Sequence, residues 1–287
     1  MLEVRKIYSV QKSRTTMEGA GVRLKRAFGQ AHPKLDPFLL LDDFGSDNPE
    51  DYIAGFPWHP HRGIETITYV LEGKVLHEDS LGNSGTIGSG DVQWMTAGSG
   101  IVHQELPDAT QSSMSGYQLW ANLPSSQKMM DPRYRDVKKD DIPIMTLDDF
   151  VKVRIISGEI AGVKGPVQDI VTEPEYLDVS MNHHSKFDHN IDSSHNAFAY
   201  VIEGEGFFDN DKKQKIGKGN LIIYDDGDKV QITTEANRLR FLLISGKPIK
   251  EPVAWAGPIV MNTQEEIRIA FEEYRNGTFI KNQEKFN

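Results

Sequence analysis

The feature that most constrains this chain is a pair of short segments that occurs twice in the same order. Tyr69-Val70-Leu71-Glu72-Gly73 returns as Tyr200-Val201-Ile202-Glu203-Gly204, an offset of 131 residues (69 to 200). Ile87-Gly88-Ser89-Gly90-Asp91 returns as Ile216-Gly217-Lys218-Gly219-Asn220, an offset of 129 (87 to 216). The same order at nearly equal offsets implies one structural unit used twice, so whatever the first copy folds into, the second repeats.

Each copy reads as all-β. Residues 65–71 and 197–202 are rich in β-branched and aromatic side chains, which suit a pleated, half-buried surface. Each run ends at Glu-Gly, where glycine can take the positive φ of a hairpin turn. Residues 74–77 and 206–208 are then expected to return as partner strands, with further turns at 82–85 and 225–228. Short strands between frequent glycine turns predict sandwiches or barrels. The expected division is an N-terminal barrel over 1–135 and a C-terminal barrel over 136–287, with the charged, proline-containing stretch 131–149 as linker. The second unit is expected to end in a packing helix. Thr263 and Glu266 form a capping box, Ile267, Ala270, Phe271 and Tyr274 share a face, and Gly277 stands at the C-terminal cap.

Composition removes several functions. The 287 residues include no cysteine, which excludes disulfides, thiolate metal sites, iron–sulfur clusters and a cysteine nucleophile. A net charge of −10 without a basic run argues against direct nucleic-acid binding. The first residues lack the apolar core of a signal peptide, and no stretch approaches the ~20 apolar residues of a membrane span, so a soluble, cytoplasmic protein is expected. Gly98-Ser99-Gly100 lacks the Gly-Lys-Ser/Thr of a phosphate loop, and no Gly-x-Ser-x-Gly elbow is present. The sequon Asn276-Gly277-Thr278 reads as a helix end.

Four residues carry the chemistry: His59 and His61 in an His-x-His, His103 and Glu105 in an His-x-Glu. On a strand, residues i and i+2 project to one face roughly 6–7 Å apart. Two such pairs facing each other inside a barrel would give a three-histidine, one-carboxylate metal site. The donor set fits iron, manganese, nickel, copper, cobalt or zinc and discriminates poorly among them. The repeat places Asn190 and Asp192 opposite His59 and His61, and Ile232 and Thr234 opposite His103 and Glu105, so the second unit is expected to hold no metal. His183, His184, His189 and His195 form no such pair of motifs and read as surface or turn residues.

HPHRGIETITYVLEG at 59–73, HEDSLGNSG at 77–85, GDVQWMTAGSGIVHQE at 90–105 and GPIVMNTQEEIRIAFEEYRNGTF at 257–279 closely resemble the pirin family of bicupins. The resemblance implies two tandem cupin barrels (double-stranded β-helix, jelly-roll) and one mononuclear metal, usually Fe(II), in the first. The family's ligands fall on His59, His61, His103 and Glu105. Glu65 also follows the His-x-His at ligand-like spacing, but in pirins the acidic ligand is the residue matching Glu105. The resemblance further implies a quercetin 2,3-dioxygenase-type enzyme that opens a flavonol ring with dioxygen and releases carbon monoxide. The alternative it carries is a non-catalytic, metal- or redox-dependent protein-binding regulator of a metabolic enzyme or of transcription. In the enzyme reading Glu105 takes the substrate proton, and Phe56, Trp58 and Arg62 contact the substrate, with a structural ion pair as the alternative for Arg62. Trp94 and Met95 are expected in the core.

Overall fold

The computed structural model describes residues 2–148 and 150–281, so Asp149, the last residue of the expected linker, and 282–287 lie outside it. Runs of β-branched and aromatic residues become strands throughout, grouped in two units. The unit built on the first repeat contains a seven-stranded sheet in the order Arg133–Val137, Val92–Thr96, Ile64–Glu72, Ser115–Asn122, Phe38–Asp43, Val22–Gly29, Arg14–Glu18. Its four-stranded sheet runs Phe56–His61, Ile101–Pro107, Val75–Asp79, Ser84–Ile87. Val22, Leu24, Phe44, Val70, Val75 and Ile87 form one apolar cluster of this unit. Trp94 and Met95 are buried, as expected of core residues.

The unit built on the second repeat has a sheet in the order Ile7–Lys12, Asn220–Tyr224, Asn196–Gly206, Leu239–Gly246, Glu175–Met181, Val151–Ser157, Ile144–Leu147, with Ile216–Gly217 paired to Asn196–Gly206. Lys186–Asn190 pairs with Lys229–Thr233 in a separate two-stranded sheet. Its core includes Val153, Leu177, Val179, Phe187, Val201, Ile232, Phe241 and Leu243.

Three expectations are corrected. The contiguous division at 135/136 does not describe the units, because both chain ends leave their own half. Ile7–Lys12 adds to the edge of the second unit's sheet, with Ile7 opposite Tyr224 and Lys12 opposite Asn220. The C-terminal segment from Ile249 belongs with the first unit, where Ile267 and Ala270 of the helix Gln264–Arg275 pack on the hairpin Ala254–Ala256/Ile259–Met261. An unsatisfied sheet edge and an apolar helix face each find a partner, and a repeat motif says nothing about where. Stretch 131–149 is also more than a linker: Arg133–Val137 pairs with Val92–Thr96, Ile144–Leu147 pairs with Val151–Ser157, and the units part between Lys139 and Asp140.

The third correction concerns the Glu-Gly pairs. Gly73, at φ +94, carries the chain from the seven-stranded to the four-stranded sheet instead of closing a hairpin. Gly204, at φ +73, sits inside the single strand Asn196–Gly206, just past a register shift between Val201 and Glu203. Positive φ thus serves a sheet change in one copy and an irregular strand in the other. The capping box forms as expected, with Thr263 accepting from the Glu266 amide and Glu266 accepting from the Thr263 amide. No helix among the described residues is long and apolar enough to cross a membrane.

Candidate metal centre

Strand Ile101–Pro107 lies between Phe56–His61 and Val75–Asp79. Its register sets Ile101 opposite His61, His103 opposite His59, and Glu105 opposite His77. Alternation then turns His59, His61 and His103 to one face, with ring centroids 4.9, 4.4 and 5.0 Å apart for the pairs 59–61, 59–103 and 61–103. Each offers a nitrogen within 4.8 Å of the others. His61, His103 and Glu105 are buried and His59 is half-buried.

The hydrogen bonds decide which nitrogens face inward. His59 Nδ1–H donates to the Pro57 carbonyl at 2.8 Å, and His61 Nδ1–H donates to the Pro258 carbonyl at 3.0 Å. In a neutral ring Nε2 is then the lone-pair site, and the two Nε2 atoms stand 3.1 Å apart. Two acceptors at that distance repel unless a proton or a metal cation lies between them. Neither ring nitrogen of His103 has a hydrogen-bond partner, although both are buried. Burial, reinforced by the neighbouring rings, holds the His61 and His103 imidazoles well below their ordinary pKa of 6.5, hence neutral. His59 and His61 with Nδ1 tied to carbonyls, the buried, unpartnered His103 ring and a carboxylate fit a divalent transition-metal ion.

The same shifts make a prediction for the metal-free protein. Below pH 6.5 the unfolded chain protonates both histidines while the native state leaves them neutral, so the unfolded state binds more protons. Stability should therefore fall as pH drops below that value, with unfolding taking up as many as two extra protons. Urea midpoints recorded from about pH 8 to about pH 5 check this; a flat profile in the acid limb contradicts it.

Glu105 is positioned by a residue that the sequence reading passed over. Thr68 Oγ1 lies 2.9 Å from Glu105 Oε1 and 2.7 Å from the Gln118 side-chain oxygen. One hydroxyl has one proton, and the carboxylate is the stronger acceptor, so Gln118 must present its amide N–H to Thr68. The bond steadies Oε1 and leaves Oε2 available. Thr68→Val should weaken binding of a divalent ion about tenfold, the lower end for loss of a ligand's supporting hydrogen bond. Thr68→Ser should restore it, as read by chelator competition.

His77 was also missed. It is buried, its ring lies 5.4 Å from that of His103 and stacks on Tyr134 at 5.0 Å, and its Nδ1 has no partner. Together with His103 and Glu105 it forms a second group whose ligating atoms lie within 4.8 Å of one another. The signal lies in the sequence, because His77-Glu78-Asp79 has the same i, i+2 spacing as His59/His61 and His103/Glu105. Glu65 belongs to neither group; its Oε1 accepts from the Thr96 hydroxyl at 2.7 Å.

A cavity of about 690 Å³ opens beside His59, His61 and Glu105, with Leu40, Phe56, Trp120 and Trp255 among its apolar walls. Phe56 borders this cavity. Trp58 and Arg62 do not. Trp58 is 48% exposed and is not among the cavity residues, because its place between Pro57 and His59 gives it the opposite face of the strand. Arg62 is 2% exposed and fully engaged: Nε donates to the Ser99 carbonyl at 2.7 Å, Nη2 to the Phe279 carbonyl at 3.0 Å, and Nη1 pairs with Glu273 at 2.7 Å. It is the structural ion pair.

In the second unit, Ile232 is fully buried and Thr234 bonds to Ser185 and Asn182. His183 and His184 are exposed, His195 lies in a turn, and His189 pairs with Glu175 at 2.9 Å. Among the described residues, both candidate ligand groups lie in the first unit.

Two β-barrel units, one carrying inward-facing histidines and a carboxylate beside a cavity, define a bicupin with a candidate metal site. A pirin family model matches residues 21–121, and a model of the pirin C-terminal cupin domain matches residues 176–280. The chain belongs to the pirin family. It is 40% identical over 282 residues to a Pseudomonas aeruginosa protein whose name carries quercetin 2,3-dioxygenase as a provisional assignment, covering 96% of this chain and 99% of the other. It is 42% identical over 268 residues to human pirin, covering 92% of this chain and 90% of the other. The crystal structure of a quercetin 2,3-dioxygenase from Acinetobacter baumannii superposes with a TM-score of 0.88 at 31% identity, covering 96% and 98% of the two chains.

Proposed function

We propose that this protein is a metal-dependent dioxygenase of the quercetin 2,3-dioxygenase type, acting in the cytoplasm on a flavonol-like substrate. The observation that carries this reading is the 3.1 Å approach of the His59 and His61 Nε2 atoms at the edge of an apolar cavity, with His103 and Glu105 beside them. His59, His61, His103 and Glu105 would hold one divalent ion, Fe(II) before manganese, nickel, copper, cobalt or zinc. Such an ion would supply Lewis acidity toward the flavonol 3-hydroxyl.

The protein's own groups do the rest. Phe56, Trp120 and Trp255 offer flat apolar contact to a fused aromatic ring and exclude water from it. Glu105 is the catalytic base: its carboxylate borders the cavity and accepts the 3-hydroxyl proton, while Thr68 fixes its other oxygen. The Nδ1–carbonyl bonds of His59 and His61 keep both rings from turning as the substrate enters. Oxygen uptake and carbon monoxide release on adding quercetin to the iron-loaded protein test the reading. Equal amounts of each gas exchanged, abolished in His61→Ala, are expected; no uptake from a sample of verified iron content contradicts it.

A further inference from the structure

One rung of the seven-stranded sheet lines the cavity with polar side chains. Arg26, Asp42, Gln118 and Thr68 are successive cross-strand partners on four neighbouring strands, and all four border the cavity. At about 4.8 Å per strand the rung runs about 14 Å. Its Thr68 end touches Glu105. At its other end Arg26 donates to both oxygens of Asp42, at 2.8 and 2.7 Å, and its remaining terminal nitrogen meets Glu18 at 2.7 Å. Glu18 borders the cavity as well.

This far end carries two carboxylates and one guanidinium, so its excess capacity is for accepting hydrogen bonds. Each Asp42 oxygen takes one bond from Arg26 and has room for a second donor. Asp42 is only 4% exposed, and burial pushes its carboxyl above the ordinary range despite Arg26. The Asp42 carboxylate, buried beside an apolar cavity, costs desolvation that an apolar residue of similar volume would avoid. A few convergent polar groups in such a cavity serve to orient what enters.

We propose that Asp42 and Glu18, clamped by Arg26, form a recognition subsite that accepts hydrogen bonds from hydroxyl groups on the substrate ring farthest from the metal ligands. The inference rests on the flavonol reading above and narrows it. The substrate is a flat, polyhydroxylated aromatic long enough to span the rung, with its acidic oxygen at the Glu105 end and hydroxyl donors at the other. A single-ring catechol is too short to reach both ends, and a carboxylate at the far end meets like charge.

The test compares two probes, quercetin and the otherwise unsubstituted 3-hydroxyflavone, binding to the iron-loaded full chain under nitrogen, where no turnover occurs. Wild type should bind quercetin at least about tenfold more tightly, the scale of one hydrogen bond to a charged group. Asp42→Asn and Glu18→Gln should each bring the ratio toward one while affinity for 3-hydroxyflavone changes less than about twofold. Should Asp42→Asn fail to fold, the more exposed Glu18→Gln decides alone. Equal binding of both probes by wild type, or a ratio that the variants leave unchanged, overturns the subsite and leaves the flavonol reading standing. If neither probe binds wild type, the flavonol reading and the subsite fall together.

Discussion

His103→Ala is expected to lower the affinity for a divalent ion by about two orders of magnitude. Four-ligand structural zinc sites bind at roughly 10–16 kcal/mol, and on that scale one ligand in four is worth roughly 3 kcal/mol. His103 should sit at or above that share, because it is fully buried and is common to both groups of candidate ligands. Its ring nitrogens have no other partner, so alanine removes a ligand without stranding another polar group. The folded protein should therefore tolerate the change far better than the metal site does. Metal affinity by chelator competition, with thermal unfolding of the metal-free variant alongside, separates the two. Affinity within about threefold of wild type would remove His103 from the ligand set.

The second large effect is on stability. Arg62→Ala should cost about 3–5 kcal/mol, the range for removing one partner of a buried ion pair. The variant leaves the Ser99 and Phe279 carbonyls without their donor, leaves Glu273 without its Arg62 partner, and opens a void over the Phe279 ring, which now lies 4.2 Å from the guanidinium carbon. The loss should reach the site as well. The Arg62 carbonyl accepts from Val260, and Pro258, two residues earlier, holds the His61 ring. Arg62→Lys should recover little, because an ammonium cannot serve three fixed acceptors in one plane. Urea denaturation of the metal-free variants reads the cost; a loss below about 1 kcal/mol would contradict this role for Arg62.

Strand alternation explains both what could be read from the sequence and what could not. His59 with His61, and His103 with Glu105, are visible because i and i+2 share a face, and antiparallel register then brings the two strands together. The same rule counts against Trp58 and Arg62, whose nearness to His59 and His61 in sequence is no nearness in the cavity. Phe56 reaches the cavity although its spacing from His59 is odd, because a register shift falls between His103 and Glu105, opposite this stretch. Asp42, Gln118, Trp120 and Trp255 border the cavity from strands far away in the chain, and no local pattern separates them from ordinary barrel residues. The duplication marks two all-β units, but not the exchange of chain ends, which depends on which sheet edge and which apolar face lie open.

The central claim is that one ion sits in the first barrel on His59, His61, His103 and Glu105. Anomalous scattering at the iron absorption edge, from a crystal of the iron-loaded protein, tests it most directly. The account predicts one peak per chain, within bonding distance of His59 Nε2, His61 Nε2, a ring nitrogen of His103 and a carboxylate oxygen of Glu105. A peak on His77, His103 and Glu105 that leaves His59 and His61 aside, a peak in the second barrel, or no peak at all would contradict it.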